Sequence, residues 1–197
     1  MMDSEWEEVS MEIGETLYVI ERKEWRRWLE ANFESAKEIW LVNPNKASGE
    51  PRILYNDAVE EALCFGWIDS IVKKLDSLRA VQRYTPRNPK SGYSQLNKER
   101  LRWLAKEGLL HPSVRESVED VLNEEYVFPT DILEAIRANR EAWNHFQGCS
   151  AAYQRIRVAY IDGARAQPEV FKSRLDSLVR ASEKGRQIGY GGSDKYF

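Results

Sequence analysis

Between Gly66 and Asn97 basic residues alternate with aromatic and hydroxyl side chains. The run contains Trp67 and Asp69, Lys73-Lys74, Arg83-Tyr84-Thr85-Pro86-Arg87, Ser91-Gly92-Tyr93-Ser94 and Asn97. Two guanidiniums close together, as Arg83 and Arg87 would be, suit a carboxylate, a phosphate or a nucleic-acid backbone, because the planar fork donates two parallel hydrogen bonds. Tyr84 and Tyr93 could stack on a ring or base. Ser94 at a helix start would offer backbone N–H groups to an anion. The ligand-binding set expected from this pattern is Trp67, Asp69, Lys73, Arg83, Thr85, Arg87, Tyr93, Ser94 and Asn97. Two structural alternatives stand beside it. Asp69 can pair with Arg83 or Arg87 and fasten a hairpin to the next helix. Trp67 can be buried with its N–H paired rather than line a pocket.

Charge distribution points to the same segment. The 197 residues carry a net charge of −3, but residues 1–68 hold −8, residues 69–106 hold +7 and residues 107–197 hold −2. A local positive field attracts anions even in an acidic protein, although the basic block could equally be paired with acids from the N-terminal part.

Other chemistry is sparse. The two histidines, His111 and His145, make no HExxH pattern, so no metal site is expected, and His145 suits a helix C-terminus. There is no nucleophile elbow and no Walker loop; the glycine-rich Gly189-Tyr190-Gly191-Gly192 follows a helix instead of a strand. No cofactor is implied. Cys64 lies in the apolar run Ala62-Leu63-Cys64-Phe65 and reads as a small hydrophobe, and two cysteines 85 positions apart make no disulfide framework. No apolar run is long enough for a membrane helix, and the acidic start lacks the pattern of a secretory signal, so no membrane insertion and a cytoplasmic location are expected.

Positioning these residues calls for an α+β fold: a small antiparallel sheet with covering helices, followed by a helical C-terminal lobe. Strands are expected at Thr16–Ile20, Glu38–Val42, Trp67–Val72 and Leu78–Thr85. Trp25, Trp28, Leu29 and Phe33 define one helix face; a second helix starts near Asp57, with Asp57 and Glu60 at cap and N3 spacing, and stops at Gly66. Further helices are expected after Ser94, from Pro112, from Thr130 as one long helix reaching Trp143, after Ser150 and from Pro168. The expected organisation is a flexible leader at 1–14, an α+β domain at 15–108, a helical lobe at 109–184 packed on it, and a glycine-rich tail at 185–197.

Tyr55 to Ser70, Arg83-Tyr84-Thr85-Pro86-Arg87 and the stretch from Ser94 into a helix ending at Glu107-Gly108 resemble the YdeI/OmpD-associated (bacteriocin-protection, OmdA-like) family. Phe128-Pro129-Thr130-Asp131-Ile132-Leu133 and Tyr160-Ile161-Asp162-Gly163-Ala164-Arg165 echo its later part, so the resemblance covers about residues 22–182. Two positions depart from the family: Tyr93 replaces a usual tryptophan, and after Ala164-Arg165 the chain reads Glu169-Val170-Phe171, without the second basic element. The resemblance implies protection against bacteriocins or membrane-active peptides, stress tolerance and porin association, and no established reaction. Three functions compete. One is a cytoplasmic stress-tolerance protein that binds an anionic small molecule or a protein partner through the basic, aromatic hairpin. The second is nucleic-acid binding by the same block. The third is an enzyme of unspecified reaction, with Asp69 as acid/base and Arg83 and Arg87 as anion clamps.

Overall fold

A computed structural model describes residues 12–189. The chain divides after Asn88 into two compact units. The first contains β1 (Thr16–Leu17), α1 (Arg22–Asn32), β2 (Ile39–Pro44), a single 3-10 turn (Lys46–Ser48), α2 (Tyr55–Cys64), β3 (Trp67–Lys74) and β4 (Arg79–Pro86). The sheet order is β1-β2-β4-β3. The three longer strands are antiparallel, as expected, and β1 adds two residues in parallel beside β2.

Helix α1 forms because Trp25 and Leu29, four positions apart, present one buried edge. Its first turn is closed by Glu24, whose carboxylate accepts from the backbone N–H of Ile20 and Glu21. Trp25 Nε1 donates to the carbonyl of Ala58, 2.9 Å away, so the indole joins α1 to α2 without an orphaned donor. The same ring meets Tyr84 of β4 edge-on at 5.4 Å. Helix α2 starts earlier than expected: Leu54 is the N-cap, without a side-chain cap bond, and Asp57 is the third helical residue. Gly66 ends the helix at φ +72°, a left-handed backbone that L side chains adopt at a cost, and turns the chain directly into β3.

The other sheet face holds Trp40, Val42 and Val81, with Ile13 packed on them. The last residues of the expected leader are therefore part of this layer; residues 1–11 lie outside the described residues. Gly14 is close-packed there, since a Cβ would fall 2.6 Å from Glu38 Oε1.

The second unit contains α3 (Gln95–Lys106), α4 (Pro112–Ser117), α5 (Glu119–Asn123), α6 (Thr130–Arg137), α7 (Arg140–Gly148), α8 (Ala151–Asp162) and α9 (Pro168–Glu183). Whereas the spacing of the sequence assigns α3 to the α+β part, α3 packs here against α5 and α8 within the helical unit. The single helix expected from Thr130 to Trp143 is two helices. Asn139 breaks it, its side chain accepting from the N–H of Ala142 and thereby capping α7. The core gathers Ile132, Ile136, Phe146, Tyr153, Val158, Ile161 and Leu178. Ile188 is tied to this core by its N–H, which donates to Tyr153 Oη at 2.9 Å. The expected tail is thus anchored as far as Ile188, and residues 190–197 lie outside the described residues.

Candidate functional site

Strand register decides which of the predicted residues share a surface. Asp69 stands opposite Tyr84, and Arg83 opposite Trp40. Directly paired residues lie on one face and neighbours alternate. Trp67, Asp69 and Tyr84 therefore face α1 and α2, while Arg83, Thr85 and Lys73 face the side of Trp40, Val42 and Val81. The sheet separates Asp69 from Arg83, so these two do not form the ion pair considered from the sequence. Asp69 instead accepts a hydrogen bond from Tyr55 Oη at 2.9 Å.

Each hairpin residue has a structural engagement. Trp67 is fully buried; its Nε1 donates to Phe33 O at 3.1 Å and its ring meets Trp28 edge-on. It is core. Arg83 binds Glu38, with Nε 2.7 Å and Nη2 2.5 Å from Oε2. Trp40 Nε1 donates to Oε1 of the same carboxylate, and these two donors hold the Glu38 carboxyl below the ordinary range, Trp40 contributing first. Lys73 lies 6.0 Å from the centre of the Trp40 ring. Thr85 is half-buried opposite Ile68. The backbone N–H of Arg87 donates to Gly66 O, and its side chain to Asn88 O.

Four basic side chains of the block are paired, each within its own unit. Arg79 pairs with Asp76, Arg83 with Glu38, Lys98 with Glu124 and Arg102 with Glu99. Of these acids Glu38 alone comes from the N-terminal part, as the pairing alternative requires; Asp76 and Glu99 belong to the block itself and Glu124 follows it.

Tyr93, Ser94 and Asn97 belong to the second unit. The Ser94 hydroxyl accepts from Asn97 N–H and caps α3, while Asn97 Oδ1 accepts from Arg100. Of four cavities walled by described residues of this unit, one is lined by Ser94 and none by the other eight predicted residues. The largest of the four, about 570 Å³, is walled by charges of both signs, including Arg102, Arg115, Glu116 and Glu119.

The residue pattern does not announce a charged cluster that the fold assembles at the α1–α2 contact. Glu60 and Glu61 are buried at 0 % and 2 % exposure. Arg22 binds both, and Arg26 Nη1 meets Glu61 at 2.8 Å. The available signal was the i, i+4 spacing of Arg22 and Arg26 beside Trp25 and Leu29, which puts both cations next to a core-facing edge. Cys64, one turn on, is buried and its thiol is pushed up to about 12, chiefly by desolvation. It is therefore a packing residue at neutral pH.

Among the described residues no group of His, Cys, Asp and Glu is placed to hold a metal ion, and no helix is long and apolar enough to cross a membrane. Comparison with family models gives two matches. Residues 17–117, half of the chain, match a domain of unknown function (DUF8412). Residues 125–185 match the family described as bacteriocin-protection, YdeI or OmpD-associated. Phe128 to Leu133 and Tyr160 to Arg165 lie inside the second match, whereas Tyr55 to Ser70 and Arg83 to Arg87 lie inside the first. No curated protein and no solved structure is detectably similar to the chain.

Proposed function

Because the chain belongs to a family of unknown function, DUF8412, and carries a bacteriocin-protection segment after it, we propose that it acts in cytoplasmic tolerance to antimicrobial peptides by binding a protein partner through the β3–β4 hairpin. The two free, buried cysteines suit a reducing compartment. Catalysis by Asp69 with Arg83 as clamp is the poorer reading, since one substrate cannot touch both faces of the sheet at once. A polyanion reader is also the poorer reading, since four basic side chains of the block are engaged by carboxylates.

The observation that carries the proposal is the outer strand. β3 is at the end of the strand order, and Ile71 and Val72 on it are 39 % and 61 % exposed, followed by exposed Lys74, Leu75 and Leu78. An outer strand presents unpaired N–H and C=O groups, and an extended segment can add to it as a further strand. The positive charge of Lys73 and Lys74 opposes pairing with a second copy. The same lysines favour an acidic, apolar segment.

The test is fluorescence anisotropy with a labelled peptide of alternating glutamate and valine. Saturable binding is expected, weakened by Lys74→Glu and lost in Val72→Pro, whose ring removes the ladder N–H. Binding unchanged in both variants, or no binding, would reject the hairpin. Complementation of a deletion strain challenged with a bacteriocin supplies the cellular arm: wild type is expected to restore survival and Val72→Pro to fail.

A further inference from the structure

We propose that the second unit holds a separate site for a small amphipathic oxyanion, a carboxylate or phosphate monoester on an apolar body, at two adjoining chambers beside α8 and α9. One chamber, about 290 Å³, is lined by Arg157, Arg174, Tyr160, Ser173 and Ser177 among others. The other, about 490 Å³, is walled by Leu96, Ile156 and Ala159. Tyr160 and Arg174 line both, so the chambers meet at these two side chains.

The charge pattern specifies the ligand. Among the described residues no acidic side chain lines either chamber, while two guanidiniums line the smaller one. Arg157 is 3 % exposed, with its guanidinium carbon 5.4 Å from the centre of the Tyr153 ring and a donated bond to Ile188 O. A cation so far from water is placed where an anion's charge is felt at low effective dielectric. Arg174 is fixed at the junction: its guanidinium lies 3.8 Å from the Tyr160 ring centre, and Nη1 donates to Tyr160 O at 2.6 Å. One bond to a carbonyl leaves the other edge of the fork to meet an oxyanion, and a stacked fork loses little freedom on doing so. Ser173 and Ser177 lie one helical turn apart on α9 and both line the smaller chamber. Ser177 Oγ donates to Ser173 O, so the Ser173 hydroxyl is the one that can donate to the head group. The larger chamber offers an apolar lining to the body, in the volume range of small-molecule pockets. Charge alone would therefore fill only half of the site.

Isothermal titration calorimetry on the full chain separates the contributions. The probes are octyl phosphate below its micelle concentration, octanoate, inorganic phosphate and octanol. Octyl phosphate and octanoate are expected to bind saturably, and inorganic phosphate and octanol at least about tenfold more weakly, the difference that losing one charge-assisted hydrogen bond makes. Arg174→Gln should weaken both amphiphiles by about tenfold or more. Ala159→Phe, which fills the apolar chamber, should do the same while circular dichroism stays native. Absence of binding by both amphiphiles, octanol binding as tightly as octyl phosphate, or affinities unchanged in both folded variants would overturn the site. A response of octyl phosphate without octanoate would restrict it to phosphate monoesters and leave the head-group assignment standing.

Discussion

Arg83 grips Glu38 through two donors on one oxygen, at 2.7 Å from Nε and 2.5 Å from Nη2, while Trp40 holds the other carboxylate oxygen at 3.0 Å. The residue that reads as an anion clamp thus already holds an anion, supplied by the residue just before β2. Because these bonds hold the Glu38 carboxyl below its ordinary value, its contribution to stability is complete above the unfolded-state value and disappears as pH falls through the folded one. Glu38→Gln should therefore cost about 1 kcal/mol at neutral pH. The gap to wild type should narrow near about pH 3, below the ordinary glutamate value. Urea unfolding at both pH values checks this, and a gap of constant size would show that the charge is not what stabilises.

Glu61 at the α1–α2 contact is the more costly residue to remove. Its carboxylate meets Arg22 and Arg26 and is 2 % exposed, so Glu61→Ala leaves two guanidiniums facing a site that water enters poorly. Both guanidiniums are partly exposed and keep other carboxylates, so the cost should be about 2–3 kcal/mol, under the full penalty of a buried unpaired charge. Denaturant midpoints should place Glu61→Ala well below Glu30→Ala. Glu30 also binds Arg26, at 3.2 Å, but is more than half exposed, and exposed pairs contribute roughly 1 kcal/mol or less.

These two pairs mark the limit of what residue order reveals. Local signals worked: Ser94 and Ser150 cap α3 and α8, and Pro112 and Pro168 open α4 and α9, because each acts within four residues of itself. The β3–β4 hairpin was legible from its alternation. Its register was not, and a slip of β3 by one residue would bring Asp69 onto the face of Arg83, which is the whole difference between a convergent site and two separate structural contacts. Glu60 and Glu61 were hidden for another reason. A charged helix position reads as solvated unless its partners on another helix are known, and Arg22 lies 39 positions before Glu61. Asn139 was the missed local signal, since an asparagine three residues before Ala142 in an otherwise continuous helical pattern is also a cap.

Ser94 lets its two readings be told apart by stability alone. Its hydroxyl accepts from Asn97 N–H at the start of a helix of 12 residues. Ser94→Ala should lower stability by about 1 kcal/mol, as loss of a cap does, and Ser150→Ala at α8 should match it. A Ser94→Ala protein as stable as wild type, measured by thermal and urea unfolding, would return the hydroxyl to the list of groups that await a ligand.

Gly66 carries the turn from α2 into β3 at φ +72°. Gly66→Ala should cost about 1–2 kcal/mol, the penalty of a left-handed L residue. Because Arg87 N–H donates to Gly66 O at 2.9 Å, the same substitution should speed hydrogen exchange at Arg87, where β4 ends. Native-state exchange by NMR separates this from uniform destabilisation: faster exchange confined to the Gly66–Arg87 junction is expected, and an even loss of protection across the sheet would refute the local account.

Cys64 gives the last test, of whether the apolar run before β3 conceals a nucleophile. The thiolate is the attacking species, and a thiol pushed up to about 12 by burial leaves on the order of one part in 10⁴ ionised at mildly alkaline pH. Cys149, also buried, is raised for the same leading reason, desolvation. An aromatic disulfide reagent should therefore label neither thiol promptly in the native protein and both at once in concentrated guanidinium chloride. Peptide mapping tells the two apart. Because labelling needs opening of the α1–α2 contact, Glu61→Ala should accelerate reaction at Cys64 and leave Cys149, which lies in the other unit, at its native rate. Prompt native labelling of Cys64 in wild type would show an accessible thiolate and reopen covalent chemistry at this position.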